Sequence, residues 1–278
     1  QADVTRFPAT DVLWASPSCT HHTVAQGKKR ERGQLSLLDE RAETLDEIRQ
    51  AEPDRSRATM FDVVRFAEHH RNRYIVVENV PEVRDWTLYP HWLAMLTELG
   101  YHHRVQVLDA AGVGGGVAQH RERYFGIFWR EDQAAPEPIA QHGPTTPTES
   151  ILDADLGPRI KDRTRPLAPA TMARIDATLD RYPDRQTLVS YYGASKVGRP
   201  VSRPMGTLTT KARHALLTRA HDGLHFRMLN NAEMSRAMGF PGDYIWRGTA
   251  GDVTKQLGNA VCVNVSREIG RTLMAVAA

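Results

Sequence analysis

Short apolar runs alternate with stretches of helical period through the first half of the chain. Asp11-Val12-Leu13-Trp14-Ala15 reads as a buried strand. Residues 57–71 carry Met60, Phe61, Val63, Val64, Phe66 and Ala67 at the spacing of one helical face. Tyr74-Ile75-Val76-Val77 is a second strand, and Glu78 stands at its end. Trp92 to Leu99 reads as a helix that stops at Gly100, the residue best suited to a left-handed helix end. Residues 105–108 and 124–128 supply two further strands. Strands and helices in alternation predict an α/β sheet. Residues 35–56 are rich in charge around Leu35, Leu37, Leu38, Leu45 and Ile48, which fits a partly helical insertion or a flexible lid.

The pattern changes near residue 131. Pro136, Pro138, Pro144 and Pro147 fall close together with Gly143, as in a linker or irregular surface segment. Residues 170–182 form an amphipathic helix, and residues 187–217, rich in Gly, Pro, Thr, Ser, Arg and Tyr, read as loops with short strands. Helical patterning returns at Asn230 to Met238, closed by Gly239-Phe240-Pro241, and again at residues 264–276. No internal repeat is visible. The expected organisation is an α/β domain over 1–130, a small inserted domain over 131–215, and a return to the first domain over 216–278.

The 278 residues are ample for one large domain or two smaller ones. No run reaches the roughly 18 apolar residues that suggest a membrane span. A formal charge of +3 says little about partners, but its distribution says more. Lys28-Lys29-Arg30 forms a basic run beside Cys19, either a solvated face or a loop that grips phosphates. Two cysteines, Cys19 and Cys262, make neither a disulfide framework nor a Cys-rich zinc site, and point to a reducing compartment. The histidine pairs His21-His22, His69-His70 and His102-His103 chelate poorly, because adjacent side chains diverge. No metal site is expected. The chain opens on Gln1-Ala2-Asp3, without an initiating Met, which suggests a processed or truncated chain.

Four segments carry candidate chemistry: Ser16-Pro17-Ser18-Cys19, Glu78-Asn79-Val80, Gln119-His120-Arg121-Glu122-Arg123 and Gly258-Asn259-Ala260-Val261. Cys19 follows a strand and opens a polar loop, where open α/β sheets place functional residues. It is either a small buried hydrophobe or a nucleophile. Glu78 is either a solvated strand end or a site acid. Arg121 and Arg123 alternate before a strand, so that both share one face, as an ordinary basic edge or as an anion-binding pair. The Gly-Asn segment either caps a helix or lines a pocket.

In this order the four segments resemble the DNA cytosine-5 methyltransferase family. Two positions depart from its pattern: Ser18 stands where a Pro directly precedes the Cys, and Thr20 where a Gln follows it. The resemblance implies a Rossmann-like, S-adenosylmethionine-dependent methyltransferase sheet with a small inserted target-recognition domain. It implies Cys19 as the nucleophile on cytosine C6, Glu78 with Asn79 at ring N3, and Arg121 and Arg123 around the ring oxygen. Asp3, Pro17, Asn259 and Val261 would meet the cofactor. Lys28, Lys29, Arg30, Arg203, Thr207 and Leu208 would meet double-stranded DNA, the last two within Pro204 to Leu208, which resembles the family's Thr-Leu element. Tyr191, Tyr192, Lys196 and Arg199 would lie near phosphates and bases, and residues 227–233 resemble a structural motif of the family. A base within a duplex must flip out to be reached, and the loop from Thr20 to Arg32 would close over it.

The family's glycine-rich cofactor loop has no counterpart here. Gly112-Val113-Gly114-Gly115-Gly116 lies between strands and not before a helix. The expectation is therefore a sheet lacking its amino-terminal strands, completed by a longer chain or a partner, with weak cofactor binding by this chain alone. A catalytically idle or split-subunit DNA-binding relative, and an RNA methyltransferase, are the other readings. The resemblance also suggests restriction-modification or phage DNA modification, hence a cytoplasmic protein of bacterial or phage origin.

Overall fold

The structure, a computed structural model, describes residues 3–18, 45–191 and 196–277, with side chains in the first long helix described from residue 57 onward. The chain divides into two compact units. The first comprises Gln1–Leu108, Glu122–Pro138 and Arg271–Ala278, and the second Asp109–Arg121 and Ile139–Gly270.

The first unit is built on a sheet of β1 (Val12–Ala15), β2 (Tyr74–Asn79), β3 (Tyr101–Asp109) and β4 (Glu122–Arg130), in the order β1-β2-β4-β3. β1 and β2 run parallel, with Val12 opposite Tyr74 and Ala15 opposite Val77. β4 lies antiparallel beside β2, from Tyr74 opposite Trp129 to Asn79 opposite Tyr124. All six residues of β2 are buried. A strand covered on both faces needs an unbroken apolar run, which explains Tyr74-Ile75-Val76-Val77. Helices α1 (Leu45–His70) and α2 (Tyr89–Glu98) contribute Met60, Val63, Ala67, Trp92 and Leu96 to a core with Ile75, Val77, Tyr124 and Phe128. The indole N–H of fully buried Trp92 donates to the Met60 carbonyl at 2.8 Å, so its one polar group is satisfied. The end of α6 (Val263–Ala277) meets β2 through the Tyr74 hydroxyl, which donates to the Val276 carbonyl at 3.3 Å.

Three expectations change here. α1 begins at Leu45 and is much longer than the apolar stripe of residues 57–71. β3 begins at Tyr101, because His102, His103 and Arg104 occupy an edge strand with exposed positions and so lack a strand's apolar signature. β1 is half-exposed rather than buried: Val12 and Trp14 each retain 37% of their surface. Among the described residues β1 is the sheet edge, with a partner on one side only.

The second unit carries an antiparallel sheet in the order β6-β5-β7-β8, from β5 (Thr187–Ser190), β6 (Arg199–Pro200), β7 (His214–Ala220) and β8 (Gly223–Met228). Helix α3 (Pro169–Arg181) covers it, with Ile175 packed among Val189, Ala215, Leu217 and Phe226. Helix α4 (Asn231–Ala237) starts at a capping box: the Asn230 side chain accepts from the Glu233 N–H, and the Glu233 carboxylate accepts from the Asn230 N–H, each at 2.9 Å. Helix α5 (Ala250–Asn259) starts at a second such box, between Thr249 and Asp252. Among the described residues no helix is long and apolar enough to cross a membrane, and no group of three His, Cys, Asp or Glu side chains gathers as metal ligands do.

Candidate active site

β1 delivers the chain to Ser16-Pro17-Ser18, and two anchors hold that segment. Buried Asn79, at the end of neighbouring β2, donates from its side chain to the Pro17 carbonyl at 3.2 Å. The Ser18 N–H donates to the Thr59 hydroxyl of α1 at 3.0 Å. The parallel pairing of β1 and β2 places both strand ends side by side and makes the first bond geometrically available. A cleft of about 340 Å³ opens here, walled by Leu13, Ala15, Pro17, Ser18, Val63 and Phe66. Cys19 follows Ser18 in the chain but lies, with Lys28, Lys29, Arg30 and the loop from Thr20 to Arg32, outside the described residues.

Glu78 meets Arg123 through the register of β2 and β4. Glu78 stands opposite Phe125, so Arg123, two residues from Phe125 on the same face, is its diagonal neighbour. The Arg123 Nε lies 3.4 Å from Glu78 Oε1, with side-chain exposures of 18% and 10%. Arg123 also donates from Nη1 to the Glu122 carbonyl at 2.7 Å, which fixes the guanidinium plane. A polar pair at the mouth of a buried strand is thereby oriented by backbone geometry. Beneath it, burial raises the Tyr124 hydroxyl pKa well above the ordinary phenol value, and that hydroxyl receives the Tyr89 hydroxyl at 3.1 Å.

Arg121 has a different setting. β4 begins at Glu122, so Arg121 precedes the strand and does not share a strand face with Arg123. Its side chain is buried in the second unit. Nη1 donates to the Leu208 carbonyl at 2.9 Å, and Nη2 to the Gly258 and Ala260 carbonyls at 2.7 and 2.9 Å. Buried Gln119 completes the hold on Leu208, accepting its N–H at 3.0 Å while donating to the Ala237 carbonyl at 2.8 Å. The Thr207 hydroxyl donates to the His120 carbonyl at 2.8 Å, and the His120 N–H to the Met205 carbonyl at 2.8 Å. The Gln-His-Arg segment and the Thr-Leu segment are thus bonded partners, a relation that sequence reading missed because it spans long stretches of chain.

The remaining predicted residues lie in varied surroundings. Leu208 is 2% exposed, while Arg203 and Asn259 are exposed and Val261 is half-buried. Cys262 is buried, as expected of a core residue. Arg227 and Glu233 form a two-pronged ion pair at 2.6 and 2.8 Å, with the Glu233 side chain fully buried. Asp3 is exposed and caps a short 3-10 turn, Val4–Arg6, where a strand end was expected. Its carboxylate accepts from the Thr5 hydroxyl and N–H at 2.7 and 3.0 Å, which lowers its pKa below the usual carboxylate value.

A parallel-stranded sheet edge with functional groups at its strand ends, joined to an antiparallel region, defines a class that comparison identifies. The chain matches the C-5 cytosine-specific DNA methylase family over residues 1–275 and belongs to it. It is 37% identical over 121 residues to the DNA (cytosine-5)-methyltransferase CMT2 of Oryza sativa subsp. japonica, covering 38% of this chain and 9% of that protein's length. Among solved structures, a mutant of Spodoptera frugiperda DNMT2 aligns with a TM-score of 0.60 at 18% identity, over 96% of this chain and 80% of the other. A putative DNA modification methyltransferase encoded within an E. coli prophage aligns at 0.62 and 13% identity, over 100% and 85%. The S. pombe Dnmt2 methyltransferase aligns at 0.59 and 15% identity, over 99% and 82%. These likenesses establish a mixed α/β, Rossmann-like methyltransferase fold.

Proposed function

We propose that this protein is a DNA cytosine-5 methyltransferase acting on a flipped cytosine of duplex DNA through a covalent Cys19 adduct. The observation that carries the reading is the Glu78–Arg123 pair at the end of β2, beside the Pro17-Ser18 segment that Asn79 secures. C5 of cytosine is a weak nucleophile. Attack of the Cys19 thiolate on C6 makes C5 electron-rich, dividing one difficult step into easier ones. Glu78 supplies a proton at N3 as charge accumulates there, and Arg123 steadies the ring oxygen with fixed N–H groups. S-adenosylmethionine, when bound, supplies the electrophilic methyl group. Water then takes the C5 proton, the Cys19–C6 bond breaks to return the thiolate, and N3 gives its proton back to the Glu78 carboxylate.

The apolar cleft beside Pro17 is of ligand size and lies at the carboxyl end of a parallel strand, where open sheets bind small molecules. It suits the adenosyl portion of the donor. Pro17, which lines it, is the residue we assign to it. The uncovered apolar face of β1, with Trp14 and Val12, supports a further strand carrying a glycine-rich donor loop, from a longer chain or a partner. Arg121 acts as a scaffold for the Thr-Leu segment, and the inserted region 131–215 meets the DNA through Arg203 and Thr207. Lys28, Lys29 and Arg30 grip phosphates.

The test is tritiated methyl transfer from S-adenosylmethionine to mixed-sequence duplex DNA, with tRNA as competitor. Transfer to duplex that disappears in Cys19→Ala is expected. Transfer that persists in the variant, or goes to tRNA alone, overturns the reading. Trapping on DNA containing 5-fluorocytosine separates an active enzyme from an idle DNA-binding relative, because only an active thiol leaves a stable adduct.

A further inference from the structure

The second unit contains a polar cleft of about 580 Å³ whose walls include His120, Thr145, Tyr182, Arg199 and Arg203. Every charged side chain among the described lining residues is basic, and among the described residues no carboxylate lines the cleft. Some arginines of the same unit are paired with carboxylates: Arg159 with Asp162, Arg227 with Glu233 and Arg236 with Asp153. Arg199 and Arg203 form no ion pair among the described residues and are exposed. Arginine without a carboxylate, facing a concave polar surface, favours an anion, and its planar fork suits phosphate.

The backbone beneath these side chains is fixed. Arg199 lies on β6, opposite Leu188 of β5. The Arg203 carbonyl accepts from the Thr148 hydroxyl at 2.7 Å and its N–H at 3.2 Å. His120 is held from behind. Its Nδ1 donates to Asp109 Oδ2 at 2.7 Å, while Asp109 Oδ1 accepts from the N–H groups of Ala111 and Arg121 at 3.1 and 2.9 Å. Because a carboxylate only accepts, Nδ1 carries the proton, and the ring is held in one orientation. The hydroxyls of Thr145 and Tyr182 add neutral donors.

We propose that this cleft seats a backbone phosphodiester of the bound duplex, gripped by Arg199 and Arg203 with His120 at its side. The proposal rests on the reading of the protein as a DNA-modifying enzyme and adds where the strand is held. It also assigns a task to the neighbouring bonds. The main chain of His120 is tied to Met205 and Thr207, so a phosphate held here registers the strand against the Thr-Leu segment. These residues position the nucleic acid and take no part in bond making.

The experiment measures the affinity of a fluorescent duplex by anisotropy from about 50 to 200 mM salt, for the unaltered protein, R199Q/R203Q and R219Q. Arg219 is an exposed arginine of the same unit on β7 and serves as the charge control. Each phosphate contact contributes about 0.9 to the slope of log affinity against log salt. The double variant should therefore lose about 0.9 from that slope, so that the unaltered protein falls about 3.5-fold further across the range. The loss should be uniform across DNA sequences, with R219Q close to unaltered. A slope in R199Q/R203Q equal to that of R219Q overturns the proposal, as does a loss seen with tRNA but not duplex. Each single variant, R199Q and R203Q, should lose part of what the double variant loses, which guards against a folding defect in the double variant. R203K, which keeps the charge, should retain most of it. Inorganic phosphate should raise the thermal midpoint of the unaltered protein more than that of the double variant, and an equal shift in both counts against the seat. Methyl transfer decides the catalytic reading separately: a slope change without any transfer would keep the phosphate seat and discard the enzyme.

Discussion

Arg121 and Arg123 are separated by one residue and end in different surroundings. Arg121 gives N–H groups of Nη1 and Nη2 to three backbone carbonyls. Arg123 lies along a carboxylate at 3.4 Å, close enough to orient it. A proton delivered by Glu78 should be needed mainly in the transition state. Glu78→Gln keeps the shape and removes the acid, so kcat for methyl transfer should fall about 10²–10⁴-fold with duplex affinity unchanged. Single-turnover kinetics check this, and a change confined to KM would show that Glu78 only binds.

Helix α5 ends where the Thr-Leu segment passes over it, and the contact is backbone to backbone. A Cβ at Gly258 would lie 2.4 Å from the Thr210 nitrogen and 2.6 Å from the Thr209 oxygen. Neither neighbour is a flexible side-chain end, so the segment itself would have to move. Gly258→Ala is expected to cost about 1–3 kcal/mol by overpacking. It should also disturb the Arg121 bonds to Leu208, Gly258 and Ala260. Denaturant midpoints measure the first effect, and slowed methyl transfer with a normal thiol titration would report the second. The glycine of the Gly-Asn-Ala-Val segment is thus required by close packing, whatever role its neighbours have toward a donor.

The second unit buries a histidine, and stability at low pH depends on it. His214 is 2% exposed; its Nδ1 lies 3.1 Å from the Ser190 hydroxyl and its Nε2 lies 3.3 Å from the Thr207 carbonyl. Burial is the main cause of a pKa lowered from 6.5 to about 4, partly opposed by the bond to Thr207. The unfolded chain therefore takes up a proton at higher pH than the folded one. Above pH about 6.5 His214 contributes no penalty; as pH falls from there to about 4 the folded state loses stability, on the order of 3 kcal/mol in total. Urea titrations at neutral and acid pH should show this loss. In His214→Asn that part of the pH dependence should vanish, and an unchanged dependence would place its origin elsewhere.

Much of the architecture was legible along the chain because it depends on local rules. The apolar run of β2 marks a strand buried on both faces, and Glu78 at its end marks the place where polar chemistry begins. Asn230 and Glu233 declare the start of α4 through a reciprocal cap, and the order of motifs identified the family. Other features depend on partners distant in sequence. The apolar stripe of α1 is shorter than the helix, since residues 45–56 are dominated by charged and polar types. β1 reads as buried from its composition, yet its exposure depends on what covers the sheet edge. Alternation suggested that Arg121 and Arg123 face the same way, but the start of β4 falls between them and only packing decides that. The Arg121 clamp, the Gln119 hold on Leu208 and the diagonal pairing of Glu78 with Arg123 arise from strand register and chain crossing. Hydrophobic period specifies which residues belong to an element, whereas the approach of two elements is chosen by the burial and hydrogen-bond satisfaction of the whole fold.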